Sequence, residues 1–324
     1  MNIIPTTFNE NITPYTAVGG KERIASTGIS AVILNRPPLA RRSFFQEIEK
    51  TGFDNVISIE SCAPHYDIEE LAGRFPFVRF ILPEKAINLG EQINLGASEI
   101  QSPLFFVLRS DMKIIAGGTA RRLAERLRIK KEENEVNPGF KRLCTVPILT
   151  NSNYEIFPSI VTPVTRKRKI QSVFLEPHND GEFTLYPFDG IGIYDKQRFI
   201  HIGGYDTSLK EMSWQLMDFG FRSHLWGEEI AFSSHLKLSY EGELSIENSS
   251  IEENYRRFYL KNLAPVYRSD YAHLPLYRFI SFMFNSGENI FSSWKEFRES
   301  RNWVIKNKFR WKCDARTVTG KWDK

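Results

Sequence analysis

An aspartate directly after a strongly apolar run is the residue of this sequence best placed to do chemistry. Asp111 follows Leu104–Leu108 (LFFVL) and Arg109-Ser110, and the run has the composition of a strand buried on both faces. Ligands of open parallel sheets bind beyond the carboxyl ends of the strands, so Asp111 would lie where a ligand is expected. A carboxylate there can hold a divalent cation and, through it, a diphosphate. The alternative is a loop carboxylate that caps the following turn.

Strands and helices alternate in the sequence as far as this aspartate. Apolar runs predict strands at Ile29–Leu34, Val56–Ile59 and Val78–Leu82, and helical patterns lie between them. Asn88, with Glu91 three residues later, has the pattern of a capping box at the start of the helix before LFFVL. This alternation predicts an α/β fold with a parallel sheet that helices cover on both faces.

The second half of the chain is less regular. Cys144–Leu149 has the composition of a strand, and Trp214–Leu225 has apolar residues near helical spacing. Beyond about residue 250, a segment rich in Tyr, Phe, Trp and Arg predicts a helical appendage. We therefore expect an irregular lead-in at 1–27, a main domain at 28–245 and a basic, aromatic-rich helical appendage at 246–324.

The composition is that of an ordinary globular protein, since 41% of the 324 residues are hydrophobic and 25% are charged. These fractions exclude collagen-like, low-complexity and wholly disordered chains. No apolar run approaches the roughly 18 residues that a membrane span needs. Three widely spaced cysteines, Cys62, Cys144 and Cys313, argue against a disulfide framework or a zinc site. We therefore expect a protein of the reducing cytoplasm.

Charge is unevenly distributed along the chain, although the net charge of +4 is small. Residues 291–324 contain ten Lys or Arg residues against four Asp or Glu residues, together with four tryptophans. Basic and aromatic residues together are typical of surfaces that bind nucleic acid, anionic lipid or an acidic ligand. The alternative is a pair of helices that packs its tryptophan face on the body of the protein.

Five segments, taken in order, resemble the family-two glycosyltransferases of the GT-A fold. They are ISAVILNR, VISIES, NLGEQINLGASEIQSPLFFVLRSDMKI, FDGIGIYDKQRFIHIGGYD and WQLMDFGFRSHLWGE, and the likeness spans residues 28–240. The resemblance implies a GT-A (Rossmann-like) domain with a mostly parallel sheet flanked by helices, followed by the helical appendage. It also implies transfer of a sugar from a nucleotide-sugar donor to a hydroxyl group of a glycan or lipid-linked acceptor. In that family the reaction is inverting, and a divalent cation (Mn²⁺ or Mg²⁺) assists it.

The resemblance assigns a role to each matching position. The donor-binding residues would be Glu60, Asn94, Gly96, Arg109, Ser110 and Asp111. The acceptor-side residues would be Gly203, Gly204, Tyr205, Asp206 and Arg222. Asp111 and His235 would hold the metal ion, and Asp218, with Glu211 in reserve, would be the catalytic base.

The sequence departs from the family pattern at two motifs. Arg109 replaces the first aspartate of the Asp-x-Asp motif, and Gln215-Leu216 replaces the Glu-Asp pair that carries the usual base. An arginine at position 109 could contact a phosphate directly and do part of the metal's work. It could also mark a site that has lost its activity.

Two functions of different classes follow from these observations. The first is a glycosyltransferase of glycan biosynthesis, and the alternative is a catalytically degenerate relative that binds a nucleotide or a glycan. A nucleotidyltransferase ranks last, because the segment LNRPPLARR after the first strand lacks the glycines of that class. No nucleic acid partner is expected. The basic tail predicts peripheral contact with the inner face of a membrane.

Overall fold

The computed structural model describes residues 10, 12–20, 27–36, 41–61, 67–116, 119–127, 142–166, 169–241, 252–286 and 289–322. The strands are β1 (Tyr15–Gly19), β2 (Ile29–Leu34), β3 (Val56–Ile59), β4 (Val78–Pro83), β5 (Leu104–Arg109), β6 (Met112–Ala116), β7 (Arg142–Thr150), β8 (Ile160–Arg166), β9 (Lys169–Leu175), β10 (Gly192–Asp195), β11 (Glu229–Tyr240), β12 (Val266–Arg268) and β13 (Tyr271–His273). The helices are α1 (Arg41–Thr51), α2 (Ile68–Arg74), α3 (Leu89–Glu99), α4 (120–127), α5 (Lys196–His201), α6 (Met212–Leu225), α7 (Glu252–Phe258), α8 (Arg278–Ser286), α9 (Ile290–Asn307) and α10 (Ala315–Gly320).

A nine-stranded sheet in the order β1-β4-β3-β2-β5-β10-β7-β11-β6 forms the centre of the fold. β2 pairs in parallel with β3 and β5, β3 pairs in parallel with β4, and β7 pairs in parallel with β11. β10 lies antiparallel between β5 and β7, so β7 and β11 run in the same direction as β5. Most strands therefore share one direction, and the predicted mostly parallel sheet flanked by helices is confirmed.

The central strands are buried because helices cover the sheet. All six residues of β2 and all four of β3 are buried, which accounts for their uninterrupted apolar sequences. Helix α3 begins with the predicted capping box, in which Asn88 and Glu91 each accept a hydrogen bond from the other's backbone N–H. Gly96 lets this helix approach the sheet closely, since a Cβ there would lie 2.3 Å from Cγ1 of Val32.

The N-terminal segment differs from the expected irregular lead-in. Tyr15–Gly19 forms the edge strand β1, antiparallel to β4. The Tyr15 hydroxyl donates a hydrogen bond to Glu99 at the end of α3 (2.6 Å), so this strand is joined to the main sheet and to a covering helix. The alternation of apolar residues is weak here because every residue of β1 is at least partly exposed, and the sequence gives little sign of the strand.

The C-terminal region contains α7–α10 and the small hairpin β12–β13. Its tryptophans pack on the body: the Trp303 and Trp311 rings lie 5.8 and 5.6 Å from the Trp226 ring, centroid to centroid. Trp303 and Trp311 are buried, as expected for the packing alternative rather than for a free aromatic surface. The boundary at residues 245 and 246 stays a prediction. None of the described helices combines the length and apolarity required to cross a bilayer.

Candidate functional site

The carboxyl ends of β2, β3 and β5 lie side by side and carry polar residues. Asn35 follows β2, and its amide donates a hydrogen bond to Glu60, which follows β3 (2.7 Å). Ser110 follows β5 and donates to the Asn35 side-chain oxygen (3.2 Å), while the backbone N–H of Arg36 donates to the Ser110 hydroxyl (2.8 Å). Three of the predicted donor-side positions are thus neighbours at one edge of the sheet: Glu60, Arg109 and Ser110.

Glu60 is a buried carboxylate whose surroundings fix its position. Its Oε1 accepts a hydrogen bond from Ser58 (2.6 Å), and its Oε2 lies 2.8 Å from an Arg41 nitrogen in addition to the Asn35 contact. Arg41 also contacts Asp67 at the start of α2. Each oxygen of this carboxylate therefore has at least one side-chain partner.

Arg109 lies between two carboxylates. Its Nε donates to Asp111 Oδ1 (2.8 Å) and its Nη2 donates to Asp111 Oδ2, while its Nη1 donates to Asp189 (2.8 Å). The Tyr240 hydroxyl donates to the same oxygen of Asp189 (3.1 Å), and the Arg109 guanidinium lies 5.0 Å from the centre of the Tyr240 ring. Asp189 and Tyr240 were not among the predicted site residues, because 80 and 131 positions separate them from Arg109 in the sequence.

The charges of this cluster depend on one another. Burial alone would lower the pKa of Arg109, but the hydrogen bonds to Asp111 and the nearby negative charges raise it above its ordinary value. Burial raises the pKa of Asp189, against the opposing effect of Arg109. Burial, followed by the Asp189 charge, raises the pKa of Tyr240 far above its usual range. For Arg36, burial and then the positive charge of Arg109 lower the pKa.

The residues expected to hold a divalent cation do not fit that role. Both oxygens of Asp111 bind the guanidinium of Arg109, which is itself a cation. His235 is exposed and lies 3.7 Å from Asp180; it is five residues before Tyr240 on β11, or roughly 16 Å at 3.3 Å per residue. Within the described ranges, no three side chains of His, Cys, Asp or Glu are grouped so that they could hold a metal ion. This arrangement speaks against the predicted Asp111–His235 pair, which stays a prediction.

Asp218 is not available as a base. It is fully buried, and its two oxygens accept hydrogen bonds from Arg222 (3.1 and 2.9 Å), Lys261 (2.8 Å) and Asn262 (2.8 Å). Burial would raise its pKa, but Lys261 and Arg222 lower it to about 2. These contacts favour a structural role, in which the carboxylate joins α6 to the C-terminal region, over the predicted role as a base.

Glu211 is the remaining predicted acid in this part of the fold. It precedes α6 as its N-cap residue and is half-buried. The Oε2 atom of Glu211 is buried and accepts no hydrogen bond from any described residue. At the position of the family's usual base, Leu216 is buried and cannot accept a proton.

Asn94 and Tyr205 join α3 to the segment before α6. The Asn94 amide donates to the Tyr205 carbonyl and accepts from the Tyr205 N–H, both at 2.9 Å. Nearby, the Gln215 side chain accepts from the Gly90 N–H (2.9 Å) and donates to the Leu209 carbonyl (2.6 Å). These contacts give Asn94 a structural role. Gly96 has a structural role as well, because it lets α3 pack closely against the sheet. Donor contact at Asn94 and Gly96 stays a prediction.

The predicted acceptor-side residues also form a buried structural junction. Gly203 and Gly204 have positive φ angles of 84° and 63°, which suit a tight turn after α5. The Tyr205 ring is fully buried, and Asp206 lies 2.5 Å from the Lys261 ammonium group. Arg222 donates to the Ile202 carbonyl as well as to Asp218, so none of these side chains presents a free group to an acceptor.

Comparisons with known proteins support the fold. No family model matches the sequence, and no curated protein matches it. Among solved structures, the chain is similar to GalNAc-T7 crystallised with UDP, GalNAc and Mn²⁺, at 16% identity and a TM-score of 0.56, over 85% of this chain and 54% of that one. S. aureus TarS 1-349 in complex with UDP-GlcNAc aligns at 10% identity and a TM-score of 0.48, over 85% of this chain and 72% of that one.

The chain spans about half the length of the GalNAc-T7 chain that it matches. At this low identity the similarity concerns the fold alone. Together with the sheet order, it shows that the chain has a GT-A-type glycosyltransferase fold, which confirms the fold expected from the five sequence segments.

Proposed function

We propose that this protein is a glycosyltransferase that moves a sugar from a nucleotide-sugar donor to a hydroxyl group of a glycan or lipid-linked acceptor. The observation that carries the proposal is the cluster of polar residues at the carboxyl ends of β2, β3 and β5 in a GT-A-type sheet. This edge is where open α/β sheets bind their ligands. The UDP and GalNAc in the GalNAc-T7 structure support a sugar nucleotide as the donor class.

The proposed reaction is a single displacement with inversion. The acceptor oxygen forms a bond to the anomeric carbon while the bond from that carbon to the diphosphate oxygen breaks. The electron pair of the broken bond leaves with the diphosphate, and a carboxylate takes the proton of the acceptor hydroxyl. Glu211 is the proposed base, since Asp218 has no free oxygen and Glu211 forms no ion pair with the described residues.

A nucleotide- or glycan-binding protein without turnover is the second candidate function. Two observations favour it: Leu216 lies at the position of the usual base, and Arg109 occupies both oxygens of Asp111. Such a protein would bind the donor and leave it intact. The two candidates therefore differ in whether a sugar nucleotide is consumed.

Turnover of sugar nucleotides decides between them. The full chain is incubated with a panel of UDP-, GDP- and dTDP-sugars, and release of the nucleoside diphosphate is followed with and without candidate acceptors. Consumption of one donor that falls at least about 100-fold in Glu211→Gln supports the transferase with Glu211 as its base. Glu49→Gln, which changes an exposed carboxylate on α1, is the matched control. Binding of a donor without any release supports the second candidate.

The acceptor, the place in glycan biosynthesis and the cellular location belong to the same proposal. The cysteine usage supports a cytoplasmic location. A lipid-linked acceptor would bring the protein to the inner face of a membrane, where peripheral contact suffices. These parts rest on the sequence, and turnover with lipid-linked and free glycan acceptors tests them.

A further inference from the structure

Arg36 is a half-buried cation at the centre of the candidate site. It follows β2, and its guanidinium forms no hydrogen bond or ion pair with any residue that the structure describes. A charged group in such a position is costly unless an anion pairs with it. The fold nevertheless fixes this residue in place, because its backbone N–H donates to Ser110.

Arg109 lies on the neighbouring strand, in register with the end of β2. Leu34 pairs with Arg109 across β2 and β5, so Arg36 is only two residues beyond that pair. The two positive charges oppose each other: burial and then the Arg109 charge lower the pKa of Arg36, while the nearby charges of Asp189 and Asp111 raise it in part. An anion with several oxygens placed between the two guanidinium groups would remove this repulsion and accept hydrogen bonds from both.

We propose that Arg36 and Arg109 bind the diphosphate of the donor without a divalent cation. Asp111 then acts as a positioning residue, because its two oxygens hold the Arg109 guanidinium rather than a metal ion. As the bond to the anomeric carbon breaks, the electron pair moves onto a diphosphate oxygen, and the two arginines stabilise the charge that develops there. This inference rests on the proposed function and names the group that binds its leaving diphosphate.

Asp189 determines the orientation of Arg109 from the opposite side. Its backbone has a φ of 51°, in the left-handed region, and the turn continues with Gly190, where a Cβ would lie 2.6 Å from Ile93. The carboxylate holds Nη1 of Arg109 and accepts the Tyr240 hydroxyl. Asp189 is therefore also a positioning residue, and Asp189→Asn should weaken diphosphate binding less than Arg36→Ala does.

The test measures binding of UDP, GDP and inorganic pyrophosphate by calorimetry, in EDTA and then with excess Mn²⁺ or Mg²⁺. We expect the affinity for one nucleoside diphosphate to differ by less than about threefold between these conditions. Arg36→Ala should weaken binding about tenfold or more, because it removes charge-assisted hydrogen bonds. Arg42→Ala, which changes an exposed arginine of α1, is the matched control and should leave the affinity unchanged.

A second variant keeps the inference testable if Arg36→Ala is poorly folded. Arg109→Asp places carboxylates on both sides of Ser110, and its binding should be lost in EDTA and return with Mn²⁺. Wild-type binding that requires Mn²⁺ would overturn the metal-free site and leave the proposed transferase intact. Binding of no nucleoside diphosphate under either condition would overturn both, so the two failures can be distinguished. Pyrophosphate binding as tight as that of UDP would support the inference and indicate that the two arginines contact only the phosphates and not the nucleoside.

Large apolar side chains are exposed on α8, on the residues just before it and at the start of α9, a region that we call the α8–α9 face. They include Phe284 and Phe291, which are 77% and 87% exposed. The members of the face are Leu276, Tyr277, Ile280, Phe284, Ile290, Phe291 and Trp294. Large exposed apolar side chains grouped in one region are a mark of interaction sites in soluble proteins.

Among the described residues, the exposed charges of α9 next to the α8–α9 face are basic. Lys295 and Arg298 are exposed and follow Phe291 by four and seven residues, on the same side of α9. Two acidic residues of α9, Glu296 and Glu299, instead form ion pairs at 3.6 Å with arginines of α7. We infer that the α8–α9 face contacts an anionic membrane surface, with its aromatic residues at the level of the headgroups. Phe291, Trp294, Lys295 and Arg298 belong to the basic, tryptophan-rich tail for which the sequence predicts membrane contact, and the α8–α9 face is the part of that region that would touch the membrane.

Vesicle flotation tests the membrane contact. We expect the full chain to float with phosphatidylcholine vesicles that contain 30% phosphatidylglycerol, about the anionic fraction that attracts basic surfaces, and to remain unbound with phosphatidylcholine alone. Phe284→Glu combined with Phe291→Glu should abolish flotation, whereas Phe309→Glu, at an exposed apolar residue outside the face, should not. Equal flotation of all variants would overturn the inference. So would a dimer in light scattering that only the double variant loses, since it would assign the face to a second copy.

Discussion

Arg109 donates hydrogen bonds to both oxygens of Asp111, so a side-chain cation occupies the position at which the sequence resemblance places a metal ion. The partner on its other side, Asp189, comes from a turn 80 residues away. Compared with the Asp-x-Asp pattern that the sequence resembles, this edge of the sheet has a guanidinium in place of the first carboxylate.

Gly96 controls the distance between α3 and the sheet. Gly96→Ala places a Cβ 2.3 Å from Cγ1 and 3.0 Å from Cγ2 of Val32, so we expect a loss of about 1–3 kcal/mol in the free energy of unfolding. Urea denaturation measures it. Gly73→Ala on α2 meets no atom within 4 Å and should be neutral or stabilising. Val32→Ala in the Gly96→Ala background should recover part of the loss; strictly additive effects of the two changes would contradict the packing role.

His224 makes stability depend on pH in the acid range. It is buried, its Nε2 lies 3.1 Å from the Thr184 carbonyl, and burial lowers its pKa to about 3 from an ordinary value of 6.5. Because the folded state favours the neutral ring, this contribution is complete above about pH 6.5 and is lost as the pH falls towards 3, at about 1.4 kcal/mol per unit. Urea denaturation at pH 7 and pH 5 measures the loss.

The matched comparison uses a second histidine of the same chain. His224→Gln should flatten the dependence of unfolding free energy on pH between 7 and 5, while His235→Gln, at an exposed position, should leave the wild-type slope. An NMR titration that places the pKa of His224 near 6.5 would contradict the prediction.

Asp218 should govern stability rather than turnover. Asp218→Asn leaves Arg222 without a carboxylate partner and leaves Lys261 with Asp206 alone, and we expect it to cost about 3–5 kcal/mol in chemical denaturation. Its pKa of about 2 lies below the ordinary 3.8, so its contribution is present above about pH 4 and is lost as the pH falls to about 2. The free energy of unfolding of Asp218→Asn should therefore lack this loss between about pH 4 and pH 2.

The control for Asp218 is an exposed acid of the C-terminal region. Asp270→Asn lies in the β12–β13 hairpin and should change the free energy of unfolding by less than about 0.5 kcal/mol. The structural role of Asp218 would be refuted if Asp218→Asn kept wild-type stability and lost turnover, the behaviour of a catalytic base.

The sequence predicted the elements of the sheet better than the roles of the site residues, for a physical reason. Strands such as β2 and β5 are local apolar runs, so burial alone indicates their positions. The roles depend on partners that are distant in the chain: Asn94 pairs with a backbone 111 residues away. Asp218 pairs with Lys261, 43 residues away, and the acid that holds Arg109 comes from a turn without a motif of its own. Motif matching located these residues, but it could not reveal which of their polar atoms were already occupied.

Asn94 offers the sharpest test of this distinction between location and role. Asn94→Ala removes both hydrogen bonds to the Tyr205 backbone and leaves a buried N–H and a buried carbonyl unpaired, so we expect a loss of about 2–4 kcal/mol in the free energy of unfolding. Asn94→Asp can still accept the hydrogen bond from the Tyr205 N–H but can no longer donate to the Tyr205 carbonyl. A smaller loss of stability than in Asn94→Ala would show that the bond from the Tyr205 N–H contributes more than the bond to the carbonyl. Calorimetry below the melting temperature should find the affinity of the folded fraction for a nucleoside diphosphate changed by less than about threefold. If affinity fell tenfold while stability stayed at the wild-type value, Asn94 would contact the donor, as the sequence resemblance first implied.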